Sequence, residues 1–157
     1  MKMKKSLLYF LLLPALSLLS CSGGKIYEDH KDIERNIWNR FEVVEFDVGI
    51  EDTSPGYDFY IAIRHMEQIP LKFITLDFTF YAPSGETRSS ELRINLKDSE
   101  GNLLGKGMGD LWDVVTLVRE DYRFTEPGIC RVEISSTMSY ADLPGIMNVG
   151  LIVRKTD

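Results

Sequence analysis

The feature that most constrains this chain is alternation. In "FITLDFTFYA", residues 73–82, Ile74, Leu76, Phe78 and Phe80 share one face, while Thr75, Asp77 and Thr79 share the other. In "ELRINLK", Leu92, Ile94 and Leu96 oppose Glu91, Arg93, Asn95 and Lys97. In "YDFYIAIR", Tyr57, Phe59, Ile61 and Ile63 alternate with Asp58, Tyr60, Ala62 and Arg64, and Val44, Phe46 and Val48 alternate with Glu45 and Asp47. A period of two means a strand with one buried and one wet face. Several such strands, rich in Val, Ile, Thr and aromatics, predict an all-β fold: a single antiparallel β-sandwich, immunoglobulin-like or jelly-roll-like.

The segments between them carry turn chemistry. "SPG" (54–56), "APSG" (82–85), "DSEG" (98–101), "EPG" (126–128) and "LPG" (143–145) combine Pro or Gly with short polar residues. "KDSEGN" (97–102) is expected to be a hairpin connection with Gly101 at positive φ. Two stretches are ambiguous. Ile33, Ile37 and Phe41 stand at helical spacing, but Trp38 beside them fits an extended piece equally well. "LWDVVTLVR" (111–119) fits neither period, and its β-branching favours a strand. "MNVGLIVRK" (147–155) reads as a last strand.

None of this alternation occurs before residue 27. The chain opens with "MKMKKS", whose Lys2, Lys4 and Lys5 precede the apolar run "LLYFLLLPALSLL" at 7–19. That is the layout of a secretory signal, and the run falls short of the ~20 residues a membrane-spanning helix needs. Leu18, Leu19, Ser20 and Cys21 form a lipobox. Cysteine is required there because its thiolate accepts the diacylglyceryl group, and its new amino terminus can then be acylated. At ~0.8 kcal/mol per buried CH₂, two or more acyl chains give stable anchoring where one would not. The expected organisation is a cleaved lipoprotein signal peptide at 1–20, lipidated Cys21 and a short tether at 21–26, and a β-sandwich domain at 27–157. "SGGK" after Cys21 lacks an inner-membrane retention aspartate. The expected location is therefore the periplasmic leaflet of the outer membrane.

Removal of residues 1–20 leaves 15 basic and 24 acidic residues, a net charge of −9. Such a body is not suited to nucleic acid or to lying flat on anionic lipid. With Cys21 committed to lipid, Cys130 has no disulfide partner. It alternates with Arg131 in "GICRVEIS" and is expected on a buried face as a small hydrophobe.

No chemistry stands out. His30 and His65 lack partners at metal-ligand spacing, and no nucleophile elbow or calcium loop is present. No catalytic residue, metal or cofactor is expected. Gly105, Gly107 and Gly109 in "GKGMG" miss the dinucleotide spacing by one residue. At period two they would share one strand face, through bulges or through close approach of a bulky ring such as Trp112. Tyr60 and Tyr81 fall on the wet sides of their strands. With Trp112 and the three glycines they are the candidate contacts for a partner or a glycan.

The whole pattern resembles the GldH family of gliding-motility lipoproteins. The lipobox is followed by Tyr27, Trp38 and Phe41, then Tyr57-x-x-Tyr60 leading into Ile63-Arg64. Next comes "LKDSEGNLLGKGMGD", with Leu96, Asp98, Gly101, Gly105, Gly107 and Gly109 in register, and then Met138, "LPG" and Val149-Gly150-Leu151. The resemblance implies a non-enzymatic outer-membrane lipoprotein that docks, facing the periplasm, on the gliding machinery and its associated secretion apparatus. The competing expectation is a glycan- or peptidoglycan-binding sandwich, which requires two or three aromatics coplanar on one wet face.

Overall fold

The structure is a computed structural model and describes residues 24–156. The expected signal peptide and the Cys21 lipidation site lie outside the described residues. Among the described residues eleven strands follow one another: β1 (Lys25–Asp32), β2 (Ile37–Asn39), β3 (Val44–Ile50), β4 (Tyr57–Met66), β5 (Phe73–Tyr81) and β6 (Thr87–Asn95) come first. Then come β7 (Lys106–Met108), β8 (Leu111–Tyr122), β9 (Gly128–Ser136), β10 (Asp142–Pro144) and β11 (Ile146–Lys155). They form a five-stranded sheet in the order β1-β11-β4-β8-β7, a four-stranded sheet β3-β9-β5-β6, and a small ribbon β10-β2. All pairings are antiparallel.

Of the two sandwich forms expected, the topology is the jelly roll. With short β2, β7 and β10 set aside, the long strands pair first with last, second with seventh, third with sixth and fourth with fifth: β1–β11, β3–β9, β4–β8 and β5–β6. That is one long hairpin rolled up, so that both halves bury one face against each other.

The buried faces are those that alternation predicts. Phe46, Val48, Tyr57, Phe59, Ile61, Ile63, Ile74, Leu76, Phe78, Phe80, Ile94, Leu96, Cys130 and Val132 are all at most 2% exposed. Phe59 of one sheet stacks on Phe80 of the other, with centroids 5.9 Å apart and planes 11° from parallel. Phe78 meets Phe59 edge-on, and Tyr122 meets Phe80 at 4.6 Å. Each large apolar side chain buried this fully contributes about 1.5–3 kcal/mol.

Several expectations need correction. The ambiguous stretch at 27–41 is mostly extended: β1, a 3-10 turn at Glu34–Asn36, then β2. Arg35 and Asn36 both take φ of 56°, which breaks any longer helix. β1 begins at Lys25, within the segment 21–26 expected as a tether. The Asp98 turn does form: its carboxylate accepts from the Glu100 and Asn102 amides at 2.9 and 2.8 Å, and Gly101 has φ 92°. It does not connect paired strands, however. β6 lies in the four-stranded sheet and β7 in the five-stranded one. Only the Lys97–Leu103 bridge closes the loop, which then crosses between sheets.

Candidate functional site

The roll has two unlike ends. At one end lie Lys25, the loops 51–56, 82–86 and 123–127, and the close of β11. Lys155 donates its amide to the Gly24 carbonyl at 2.8 Å, tying the first described residue to the close of β11. This end is polar. Asp52 accepts the Ser54 amide and hydroxyl at 2.9 and 2.7 Å and the Lys155 ammonium at 3.2 Å. Those hydrogen bonds hold its carboxyl down at about 2. Arg123 pairs with Asp121 at 3.2 Å and reaches the Ser54 carbonyl at 3.3 Å.

At the other end sits the β2–β10 ribbon. Trp38 is fully buried, and its indole N–H donates to the Glu42 carbonyl at 3.1 Å, which pins the returning chain. Beyond it the ribbon turns apolar groups to water. Phe41 is 80% exposed and Tyr140 59%, with Val43 and Ile37 at 46% and 43%. The Arg40 amide donates to the Ala141 carbonyl at 2.8 Å, so Phe41 and Tyr140 flank the same ribbon tip. The Arg40 guanidinium lies 5.5 Å from the Phe41 ring centre. This apolar tip was not legible from composition or period. Phe41 stands in an ambiguous stretch and in the family pattern, neither of which reports exposure, and Tyr140 sits among turn residues.

The structure separates the aromatics that the sequence singles out. Tyr60 lies on the outer face of the five-stranded sheet, with the Arg154 guanidinium 5.3 Å from its ring centre. Tyr81 lies on the outer face of the four-stranded sheet, its hydroxyl donating to Glu133 at 3.0 Å. It borders an open depression of about 490 Å³ together with Asp47, Ile129 and Arg131. Trp112 pairs with His65, which is wholly buried, so its side chain points to the inner side at the sheet edge. The three rings occupy three different surfaces and form no coplanar platform.

The glycines do not make one stripe either, because β7 spans only Lys106–Met108. Gly107 faces its cross-strand neighbour Trp112, whose ring would stand 2.8 Å from an added Cβ. Gly105 has φ 93°, and an added Cβ would meet the Asp113 carbonyl oxygen at 2.2 Å. Gly109, with φ 61°, opens the two-residue turn into β8 and has open space around it.

Arg64, Asp113, His65 and Cys130 have structural roles, while the buried His65 Nε2 and Trp112 Nε1 have no hydrogen-bond partner among the described residues. Arg64 and Asp113 form a bidentate pair at 2.7 and 2.8 Å across β4 and β8, which holds the Asp113 carboxyl below its usual range. His65 directs Nδ1 at the Met66 carbonyl at 2.9 Å, and burial lowers its pKa. Burial pushes the Cys130 thiol up to about 12, the state of an inert core thiol. Among the described residues no group of three or more His, Cys, Asp or Glu side chains is placed to hold a metal ion.

The domain is thus a jelly roll with a mostly polar end beside its first described residues and an apolar tip opposite. The GldH lipoprotein family matches over residues 25–153, and the chain belongs to that family. It is 26% identical over 154 residues to the gliding motility lipoprotein GldH of Flavobacterium johnsoniae, covering 94% of this chain and 95% of the relative. It is also 26% identical over 145 residues to a GldH homolog of Christiangramia forsetii, covering 88% of each. Among solved structures, TmCBM61 in complex with β-1,4-galactotriose aligns over 88% of this chain at 12% identity and a TM-score of 0.32. The infectious bursal disease virus VP2 subviral particle aligns over 81% at 15% identity and a TM-score of 0.29. Likeness at that level carries no argument about a ligand.

Proposed function

We propose that the protein is an outer-membrane lipoprotein, held on the periplasmic leaflet by lipid on Cys21. On this reading it serves, without catalysis, as an accessory component of the gliding-motility and associated secretion machinery by docking a protein of that envelope complex. The carrying observation is the contrast between the two ends. Only four residue steps separate Cys21 from Lys25, a reach of at most ~14 Å. Lipid on Cys21 therefore holds the polar end, with Asp52, Asp121 and Arg123, at the headgroups. The ribbon tip with Phe41 and Tyr140 then projects away by roughly the length of a ten-residue strand, ~33 Å. Exposed aromatics at the far end of an anchored domain suit a protein partner, since such residues supply most binding energy at interfaces.

Two substitutions test this reading. Cys21→Ser is expected to abolish labelling by a fatty-acid analogue and to release the domain from outer membrane. Phe41→Ala together with Tyr140→Ala is expected to leave the melting temperature unchanged and to reduce recovery of envelope proteins on a tagged full chain. Label retained on Cys21→Ser sinks the anchor, and undiminished recovery sinks the docking tip.

A further inference from the structure

The free edges of the two sheets are not alike. β1, β3 and β6 each carry charge on the wet face: Glu28 and Asp32, Glu45 and Asp47, Glu91 and Arg93. Charges in those positions are the usual guard against another strand pairing there. β8 is the exception. β7 covers it only at Leu111–Asp113. The next five residues, Val114, Val115, Thr116, Leu117 and Val118, have no charge, no proline and, among the described residues, no strand paired with them on that side, where Gly105 alone packs against Val114. Val115 and Leu117 are 52% and 42% exposed.

Local backbone geometry makes this gap. Gly105, at φ 93°, turns the chain off the edge just before β7, and the Leu104 amide donates instead to the Leu96 carbonyl at 2.9 Å. At the other limit, two register shifts insert extra residues into β8 between Leu117 and Tyr122, and Asp121 takes φ 44°. Such bulges twist an edge away from pairing. The flat open stretch is therefore bounded by β7 above and by the bulges below.

The direction of the backbone groups follows from the turn. A two-residue hairpin at Gly109–Asp110 makes Met108/Leu111 a hydrogen-bonded pair, and such pairs alternate along an antiparallel ladder. Leu111 and Asp113 thus direct N–H and C=O toward β7, and Val115 and Leu117 direct theirs into the gap. On the outer face Val115 pairs with Ala62, which pairs with Gly150; Leu117 pairs with Tyr60, which pairs with Ile152. From β11 to the open edge both rows are apolar, with His30 and Glu28 of β1 at their far ends.

We propose that β8 accepts an extended segment of a partner protein as an added strand, in line with β7 and antiparallel to β8, over residues 114–118. The segment carries apolar residues two apart, opposite Val115 and Leu117, because these extend the two cross-strand rows. The residue between them faces Thr116 and the Arg119 side chain, which donates to the Ser90 hydroxyl at 3.0 Å, and it is polar or small. This chain's own tether cannot fill the gap, since β1 stands at the opposite edge of the same sheet. A second copy fits poorly: twelve-residue β8 of a twofold-related chain, centred on Thr116, runs into the place held by β7. The proposal rests on the docking reading above and adds the mode of recognition, strand addition.

Amide hydrogen exchange on the tagged full-length lipoprotein, free and in its co-purified envelope complex, tests the proposal. The Val115 and Leu117 amides are expected to exchange quickly in the free chain and to slow by about tenfold or more in the complex, given the size of a strand hydrogen bond. The Val114 and Thr116 amides, bonded to β4, stay slow in both. Val115→Pro removes a donor the monomer does not use. It is expected to melt near wild type and to lose the partner, and Leu117→Lys supplies a second variant should proline strain the strand. A partner retained while Val115 and Leu117 stay fast overturns the strand addition alone. Protection that already appears in the free chain and rises with its concentration overturns it in favour of a second copy. Failure to recover any partner overturns the docking reading as well.

Discussion

In the four-stranded sheet β3 and β5 alternate strictly between buried and wet residues, with edge strand β6 burying only Ile94, whereas the central strands of the five-stranded sheet do not alternate. β3 and β5 bury every second residue, and their wet faces carry Glu45, Asp47, Thr75, Asp77 and Thr79. In the five-stranded sheet the two central strands bury residues on both faces. Ala62 and Ile152 lie on the outer face yet are each only 6% exposed, beside Gly150, which the His30 ring covers. β8 goes further and changes face: Val114 and Thr116 point inward, and after the register shifts Arg119 and Tyr122 do. The difference teaches that alternation reports a face kept wet by water alone. Where neighbouring side chains cover the outer face, or a bulge inserts a residue, the period disappears although the strand remains.

The largest expected effects test the strict sheet. Ile94→Ala, at a position 1% exposed, is expected to cost about 2–5 kcal/mol in urea unfolding. Its neighbour Arg93 lies on the wet face with its guanidinium 3.5 Å from the Phe73 ring centre. Arg93→Ala is expected to cost about 0.5–1 kcal/mol, the value of an exposed cation–π contact. Equal losses would show that the register of β6 is wrong. The matched test in the looser sheet is Ile152→Ala, expected to cost about 2 kcal/mol although it faces outward. Thr79→Ala, outward on the strict sheet, is expected to stay within about 0.5 kcal/mol. If Ile152→Ala is as mild as Thr79→Ala, the outer face of the five-stranded sheet is wet after all and the contrast fails.

The glycines sharpen the comparison at the sheet edge. Gly107→Ala must push the Trp112 ring aside and is expected to cost about 1–3 kcal/mol, as overpacking does. Gly105→Ala meets a backbone oxygen that cannot move aside and is expected to be at least as costly. Gly109→Ala has room and loses only the favourable positive φ, at about 1 kcal/mol. Thermal melts of the three variants that rank Gly109→Ala worst would overturn this account of the edge.

The legible part of the fold follows from this. Strand faces with an unguarded wet side, such as Ile74–Phe80 and Leu92–Leu96, could be read directly, and so could the turn at Gly101. The sandwich class was legible because those strands are many and short. The jelly-roll order was not, since pairing first strand with last leaves no local trace. The mixed period at 111–119 did carry the signal of the bulges, but a bulge and a loop look alike until the partner strand is known. Glycine spacing alone points to one stripe because it cannot show that β7 spans only Lys106–Met108. Of the candidate site, the ring contact at Trp112 was foreseeable. The exposed Phe41 and Tyr140 were not, because exposure of an apolar residue depends on what fails to cover it.

The last test belongs to a central strand of the four-stranded sheet and reads a difference that is small at neutral pH. Cys130 is inward on β9, wholly buried, and its thiol is pushed from 9.0 up to about 12 by desolvation. The fold thus keeps the neutral thiol while the unfolded chain ionises. Stability from this residue is intact below pH 9 and falls as pH rises from 9 toward 12, by at most about 1.4 kcal/mol per pH unit. Other groups titrate in that range, Tyr122 among them, so the measurement is a difference between wild type and Cys130→Ala. At pH 7 Cys130→Ala is expected to be the less stable of the two, through the small cavity it leaves. Above pH 9 the gap should narrow, because only the wild-type unfolded chain gains from losing the thiol proton. A gap that stays constant to pH 11 would mean that the thiol ionises as readily folded as unfolded. The inward face of β9 would then be open to water, and the strictness of the four-stranded sheet would be lost at its centre.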